Sequence, residues 1–326
     1  MSGILENTTY LDPKYQHLEK YVLMAYKSLW TPMKYEKLIK EVDASYYYNR
    51  MSEVDKESVR RCLLSIAMVE DKVKSYWNSL HRYLPQTIIS DVGSLFGFME
   101  TTHRRAYHSA NEAFGIEPEE IEKHKILKDR LKYLNKHLEK GSFEPKNSVL
   151  KNLTLFTSLV EKGSLFPAFY ILMSWSYANK GLHAIASLQE STSLEEIQHY
   201  SFGIDLINII KKEYPEMWDS DIVEVVTKSI KTAQETEVKL IDWFFENGVP
   251  GHLTKKEVVN FLNYNFNTIC EDLGLDLSFD FNEELYREKS EWMMVSLYNK
   301  EPDFFNMPKG GYSSTEEEID IENFKF

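Results

Sequence analysis

Apolar residues recur every three or four positions over long stretches of the chain, a spacing that lines one face of a helix and lacks the alternate-residue rhythm of a strand. Between Ile222 and Ile241, for instance, Val225, Val226, Ile230, Ala233 and Val238 trace one apolar stripe with Lys and Glu between them, as in a helix lying against a bundle from outside. On this pattern helices are expected over residues 14–29, 53–81, 86–114, 118–139, 147–187, 193–213, 217–246, 254–273 and 281–298. Pro (10) and Gly (13) are too sparse to break these runs often, and the fold class expected is all-α. Gly163 and Pro167 fall inside the 147–187 segment and predict a kink or distortion near its middle. The preceding "LEKGSFEPKNS" reads as a loop ending in a helix start.

After about residue 298 the periodicity stops. Residues 1–298 are therefore expected to form the helical domain and 299–326 a flexible tail, rich in Pro, Gly, Ser and acidic residues. The tail ends in "IDIENFKF", where Ile319, Ile321, Phe324 and Phe326 punctuate an acidic run, and apolar anchors at a free end suit docking into another protein's groove.

Composition narrows the function. At 326 residues, 43% hydrophobic and 27% charged, the chain can bury a core of one large domain or two ordinary ones. A net charge of -13 argues against nucleic acid, whose phosphates need clustered Lys and Arg. Cys62 and Cys270 are the only cysteines, too few for a disulfide framework and in keeping with a reducing cytoplasm. "MSGILENTTYLDPKYQ" lacks the basic-then-apolar order of a signal peptide, and the longest apolar stretch, "LFPAFYILMSWSYA", is too short to span a bilayer. A soluble, cytoplasmic protein with no membrane role is expected.

Two of the nine histidines have Glu three residues earlier: Glu100 with His103, and Glu196 with His199. Chance alone supplies about one such pair, so the arrangement carries more than the number. Ferritin-like di-iron and di-manganese proteins build their site from four helices, two giving one Glu each and two giving a Glu-x-x-His pair. A lone carboxylate is then required before each pair. Glu70 lies 30 residues before Glu100, and Glu161 lies 35 before Glu196, both in apolar helical segments where an unpaired charge is costly. Taken singly, Glu70 beside Asp71 and Glu161 beside Lys162 read as surface pairs; taken together and in order, the six read as ligands. Four carboxylates in one bundle repel each other and take up protons, whereas two divalent cations cancel them. Oxygen and imidazole donors suit Fe or Mn. Tyr107 follows His103 by one helical turn on the same face, which brings its phenol near such a centre.

At this point the chain resembles the small, radical-generating subunit of class I ribonucleotide reductase over nearly its whole length. "METTHRRAY" is similar to the family's Glu-x-x-His-x-x-x-Tyr, "EKGSLFPAF" to its ligand Glu followed by apolar residues around the radical, here Leu165 and Phe169, and "EEIQH" to its last ligand pair. "AYKSLWTPMKYEKLIKEVD" resembles the N-terminal segment with its Trp, and "EPDFFNMPKGGY" and "EEEIDIENFKF" resemble the tail. The resemblance implies metal ligands Glu70, Glu100, His103, Glu161, Glu196 and His199, a radical on Tyr107, and Trp30, Glu195 and Tyr312 as carriers of electron and proton toward the large subunit. It also implies two Fe ions, with Mn/Mn or Mn/Fe as alternatives, O2 for radical generation, a homodimer, docking on the large subunit through the tail, and a flavoprotein activase as a further possible partner. The activity implied is ribonucleoside-diphosphate reduction in company with the large subunit.

Three departures stand out. The first ligand is usually Asp in tyrosyl-radical members; here alignment on "RRCLLSIAMVED" selects Glu70, with Asp71 as the next candidate. Glu at that place resembles relatives with a mixed Mn/Fe centre and no Tyr, yet Tyr107 is present. Glu195 and Leu194 stand where an Asp and an Arg are more usual. Two other functions stay open on the residues alone: a ferritin-like di-metal oxidase or oxygenase acting on its own ligand, and a metal-storage or structural bundle.

Overall fold

A computed structural model describes residues 3–8, 10–73, 76–138 and 148–299, and among these there are helices and turns but no strand. The helices are α1 (Glu19–Ser28), α2 (Met33–Leu38), α3 (Ala44–Arg50), α4 (Glu53–Val73), α5 (Tyr76–Leu80), α6 (Thr87–Ala113) and α7 (Lys125–Leu138). They continue with α8 (Ser148–Phe156), α9 (Phe166–Tyr177), α10 (His183–Glu213), α11 (Ser220–Phe244), α12 (Lys255–Leu273), α13 (Glu283–Lys289) and α14 (Glu291–Asn299). Two π-helical stretches, Ile39–Asp43 and Thr157–Ser164, interrupt this series. The all-α bundle expected from periodicity is the fold observed.

Four segments enclose the centre. The helix α6 packs on α4, and α10 packs on α6, on α8 and on the Thr157–Ser164 stretch, while α11 and α12 cover that stretch from the other side. On α11, Val226, Ile230 and Ala233 are buried and Val238 is half-buried, but Val225 is exposed, so the stripe is one residue narrower than its spacing suggested. Close approach needs small residues: a Cβ on Gly93 would stand 2.5 Å from the Trp77 carbonyl oxygen, so α6 and α5 can meet only at a glycine.

The distortion predicted at Gly163 and Pro167 is the π-helical Thr157–Ser164, all eight residues of which are buried, followed by α9 with Pro167 in its first turn. Widening the helix here frees backbone groups. Ser164 Oγ donates to the Leu159 carbonyl at 2.5 Å, and the Ser164 carbonyl accepts from Arg130 Nη2 at 2.5 Å. At Gly163 a Cβ would lie 3.0 Å from both the Phe266 ring and the Ser158 carbonyl.

Several boundaries differ from the periodic reading. The break expected between residues 187 and 193 is absent, and α10 runs unbroken from His183 to Glu213. The chain instead turns at Asn179, Gly181 and Leu182, all with positive φ. The polar run "QESTS" falls at the gap between two expected helices, but Gln189, Thr192 and Ser193 are buried inside the bundle. Leu182 cannot cap α10 with its side chain; Asp43, from the far end of the first π-helical stretch, accepts the Ile185 N–H at 2.7 Å instead. Residues 33–50, left outside the expected helices, form α2, the π stretch and α3. The 281–298 segment divides at Ser290. The helix α14 takes in Asn299, the first residue of the expected tail; the rest of that tail, with Tyr312, Ile319, Ile321, Phe324 and Phe326, lies outside the described residues.

Candidate metal centre

Four elements deliver the six expected ligands to one place. Glu70 comes from α4, Glu100 and His103 from α6, Glu161 from the middle of the Thr157–Ser164 stretch, and Glu196 and His199 from α10. All six are buried. Their donor atoms form two groups, Glu70/Glu100/His103/Glu196 and Glu100/Glu161/Glu196/His199, each within a 4.8 Å span. Glu100 and Glu196 belong to both, one from each Glu-x-x-His pair. Asp71, the rival first ligand, lies on α4 with its side chain outside the described residues, and Glu70 occupies the site.

The imidazoles turn their Nδ1 atoms inward. His103 Nδ1 lies 3.2 Å from Glu196 Oε1, 3.7 Å from Glu70 Oε2 and 3.8 Å from Glu100 Oε2. His199 Nδ1 lies 3.1 Å from Glu196 Oε2, 3.2 Å from Glu100 Oε1 and 3.6 Å from Glu161 Oε2. Most of these contacts are not aligned as hydrogen bonds. Both oxygens of Glu70 and of Glu100, one each of Glu161 and Glu196, and His103 Nδ1 have no hydrogen-bond partner although they are shut off from solvent. Buried polar atoms are normally paired, so such a concentration is what a cation would satisfy. The donor set, carboxylate oxygens with two imidazoles, fits a pair of Fe or Mn ions.

Electrostatics tell the same story. Burial, reinforced by neighbouring carboxylates, pushes Glu70, Glu100 and Glu161 above the usual carboxyl range. Burial also opposes charge on Glu196, but the adjacent Glu161 carboxyl and the His103 and His199 imidazoles outweigh it and hold this carboxylate low. For His103 and His199 burial disfavours the cation, yet the surrounding carboxylates raise both above the imidazole range. Without a metal the cluster neutralises itself with protons.

Around the ligands, four hydrogen bonds organise the site. His103 Nε2 donates to Glu195 Oε2 at 2.6 Å, and the same oxygen accepts Trp30 Nε1–H at 3.0 Å, with the Trp30 and His103 rings stacked at 6.0 Å. Such a carboxylate fixes which imidazole nitrogen faces the metal. Trp77 Nε1 donates to Glu161 Oε1 at 2.9 Å. Tyr107, fully buried, donates from Oη to Gln189 Oε1 at 2.8 Å; burial first, then the Glu70 carboxylate, holds its phenol well above the ordinary range, so it keeps its proton. Leu165 and Phe169 are buried too. Trp77 and Gln189 escaped the sequence reading. For Trp77 nothing in "KSYWNSL" signals it, and Gln189 lies in a polar run that falls between two expected helices.

The family model of "Ribonucleotide reductase, small chain" matches residues 7–285. The chain belongs to the ribonucleotide reductase small-chain family. This small chain is 22% identical over 331 aligned positions to the ribonucleoside-diphosphate reductase subunit beta of Treponema pallidum, covering 96% of this chain and 91% of that one. It is 27% identical to the corresponding subunit of Chlamydia pneumoniae over 167 positions, a match spanning 50% of this chain but less than half, 46%, of that relative. Among solved structures it resembles the ribonucleotide reductase R2 subunit from Clostridium botulinum, with TM-score 0.77 at 14% identity over 91% of this chain and 94% of that one. It also resembles the dimanganese(II)-NrdF of Streptococcus sanguinis, with TM-score 0.71 at 15% identity over 89% and 99%. The small chain thus has the ferritin-like fold of these proteins, and among its described residues no helix is long and apolar enough to cross a membrane.

Proposed function

We propose that this small chain is the radical-generating subunit of a ribonucleoside-diphosphate reductase, holding two Fe or Mn ions and a radical on Tyr107. The observation that carries the reading is the pair of overlapping, buried donor groups whose polar atoms lack partners. Glu70 and His103 would hold one ion, Glu161 and His199 the other, with Glu100 and Glu196 shared. When bound, the metal pair supplies oxidising power drawn from O2. The chain's own residues do the rest. Glu195 fixes His103 through Nε2, leaving Nδ1 for the metal side. Tyr107 gives up one electron and, from Oη, one proton, and burial keeps water and reductants from the neutral radical that remains. Trp30, joined to His103 through Glu195, provides a route outward.

In this reading residues 1–298 form the metal-binding domain of a cytoplasmic homodimer, and 299–326 are the tail that docks on the large subunit through Ile319, Ile321, Phe324 and Phe326. Tyr312 carries the electron across, and nucleotide reduction takes place in the large subunit, with a flavoprotein activase as a further partner. Reconstitution with Fe(II) or Mn(II) and O2 should give a stable tyrosyl signal in electron paramagnetic resonance that Tyr107→Phe abolishes. A silent wild type with either metal, with and without activase, would sink the reading. Deleting residues 319–326 should destroy large-subunit binding and leave the metal content unchanged; binding that survives the deletion removes the tail assignment.

A further inference from the structure

Trp30 does not end at Glu195. On its other side its ring meets Tyr35 edge to face, with centroids 5.4 Å apart at 66°. Tyr35 lies on α2, is buried, and has its Oη 2.5 Å from Ser191 Oγ on α10. Ser191 and Tyr35 line a surface cavity of about 420 Å³ together with Lys27, Lys34 and Glu190, and both lysines are exposed. A phenol with its ring on a buried indole and its hydroxyl on a residue of a solvent-open cavity has separate exits for an electron and a proton. Packing alone needs only the ring; the short bond to Ser191 is what a phenylalanine would lack.

We propose that Tyr35 is a redox-active residue, the electron donor to oxidised Trp30 on the surface side, with Ser191 accepting its proton. This rests on the radical-generating reading above, in which the oxidised metal centre is the one-electron oxidant that takes an electron from Trp30. Trp30 then recovers one electron from Tyr35 and returns to neutral indole, keeping its Nε1 proton on the bond to Glu195. Tyr35 loses that electron as its O–H bond breaks; the proton bonds to Ser191 Oγ while Ser191 releases its own proton to solvent in the cavity. One electron has moved inward, one proton outward, and Tyr35 is left as a neutral phenoxyl radical. The Lys34 ammonium, 5.0 Å from the Tyr35 ring centroid, opposes a second positive charge there and so couples the proton's departure to the electron's.

The test uses the full chain carrying Tyr107→Phe, loaded with Fe(II), mixed with O2 and frozen at intervals for paramagnetic resonance. A transient tyrosyl signal is expected, and 3,5-difluorotyrosine at position 35 should change its splitting through the fluorine nuclei. In the double variant Tyr35→Phe/Tyr107→Phe that signal should vanish and the oxidised-tryptophan absorbance should persist about tenfold longer or more. Ser191→Ala, which keeps the Tyr35 ring, should slow the appearance of the tyrosyl signal. The proposal is overturned if the fluorine label leaves the transient unchanged, or if Tyr35→Phe alters the tryptophan lifetime less than about twofold. The chain with Tyr107 intact separates the two readings: its stable signal with a silent label removes Tyr35 alone, and its absence removes both.

Discussion

Two clusters of charge are buried in this bundle, and they are built on opposite plans. Arg130 on α7 meets Glu237 on α11 through Nε at 2.8 Å and Nη2 at 3.1 Å, and gives two further hydrogen bonds to the Ser65 and Ser164 carbonyls at 2.9 and 2.5 Å. In the candidate metal centre, by contrast, both oxygens of Glu70 and of Glu100 and the Nδ1 of His103 turn toward each other and find no hydrogen-bond partner. Both clusters are closed to solvent, and both hold the Thr157–Ser164 stretch, one through Ser164 and the other through Glu161. The first has everything it needs within the protein and acts as a clamp; the second is complete only with added positive charge. Burial of charge alone therefore does not mark a functional site, whereas burial of charge without partners does.

Breaking each cluster should give opposite signs. Arg130→Met, which strands Glu237 and two carbonyls, should lower the stability of the metal-free chain by about 3 to 5 kcal/mol in guanidinium unfolding, and replacing Glu237 with Leu as well should recover most of that loss. Next in size is the metal itself. Fe(II) or Mn(II) at about a hundredfold over Kd should stabilise the wild type by about 3 kcal/mol, visible as a higher Tm that a chelator reverses.

A smaller and more telling effect is expected at Glu100. Glu100→Gln should stabilise the metal-free chain by about 1 kcal/mol near neutral pH while abolishing part of the metal stabilisation. The sign follows from burial, which raises this carboxyl above its ordinary value of 4.5 in the folded state. The folded chain then holds a proton on Glu100 that the unfolded chain releases, so the contribution of this group to stability falls as pH rises above 4.5, and the advantage of Gln should shrink as pH is lowered toward it. A difference in Tm between Glu100→Gln and wild type that is the same at acid and neutral pH would contradict it. Asp43→Ala, a change at neither cluster, should cost about 1 kcal/mol by uncapping α10 and leave metal content untouched.

Much of this could be read from residue order. The helices follow from the spacing of apolar positions, and the six candidate ligands from two Glu-x-x-His pairs each preceded by a lone Glu, because ligands on a helix must share a face and that constraint is local. What escaped depends on residues distant in the chain. Arg130 and Glu237 are 107 positions apart, Trp77 and Glu161 are 84 apart, and Asp43 and Ile185 are 142 apart. No spacing rule links such partners. The false break before residue 193 has a different cause: polar residues in mid-helix look like a linker until Gln189 is seen facing Tyr107 inside the bundle. Residues 33–50 were missed because α2 and α3 are only six and seven residues long, too short for a periodic stripe.

The central claim is that the partnerless cluster is a two-ion site, and metal stoichiometry tests it most directly. Anaerobic titration of the full-length, metal-free chain with Fe(II) or Mn(II), followed by elemental analysis after desalting, should give two ions per chain, one for each donor group. Glu100→Gln and Glu196→Gln, which alter the carboxylates common to both groups, should each reduce that number, and Arg130→Met/Glu237→Leu should leave it at two. A wild type that retains no ion, or ligand variants that retain as much metal as the wild type, would contradict the account.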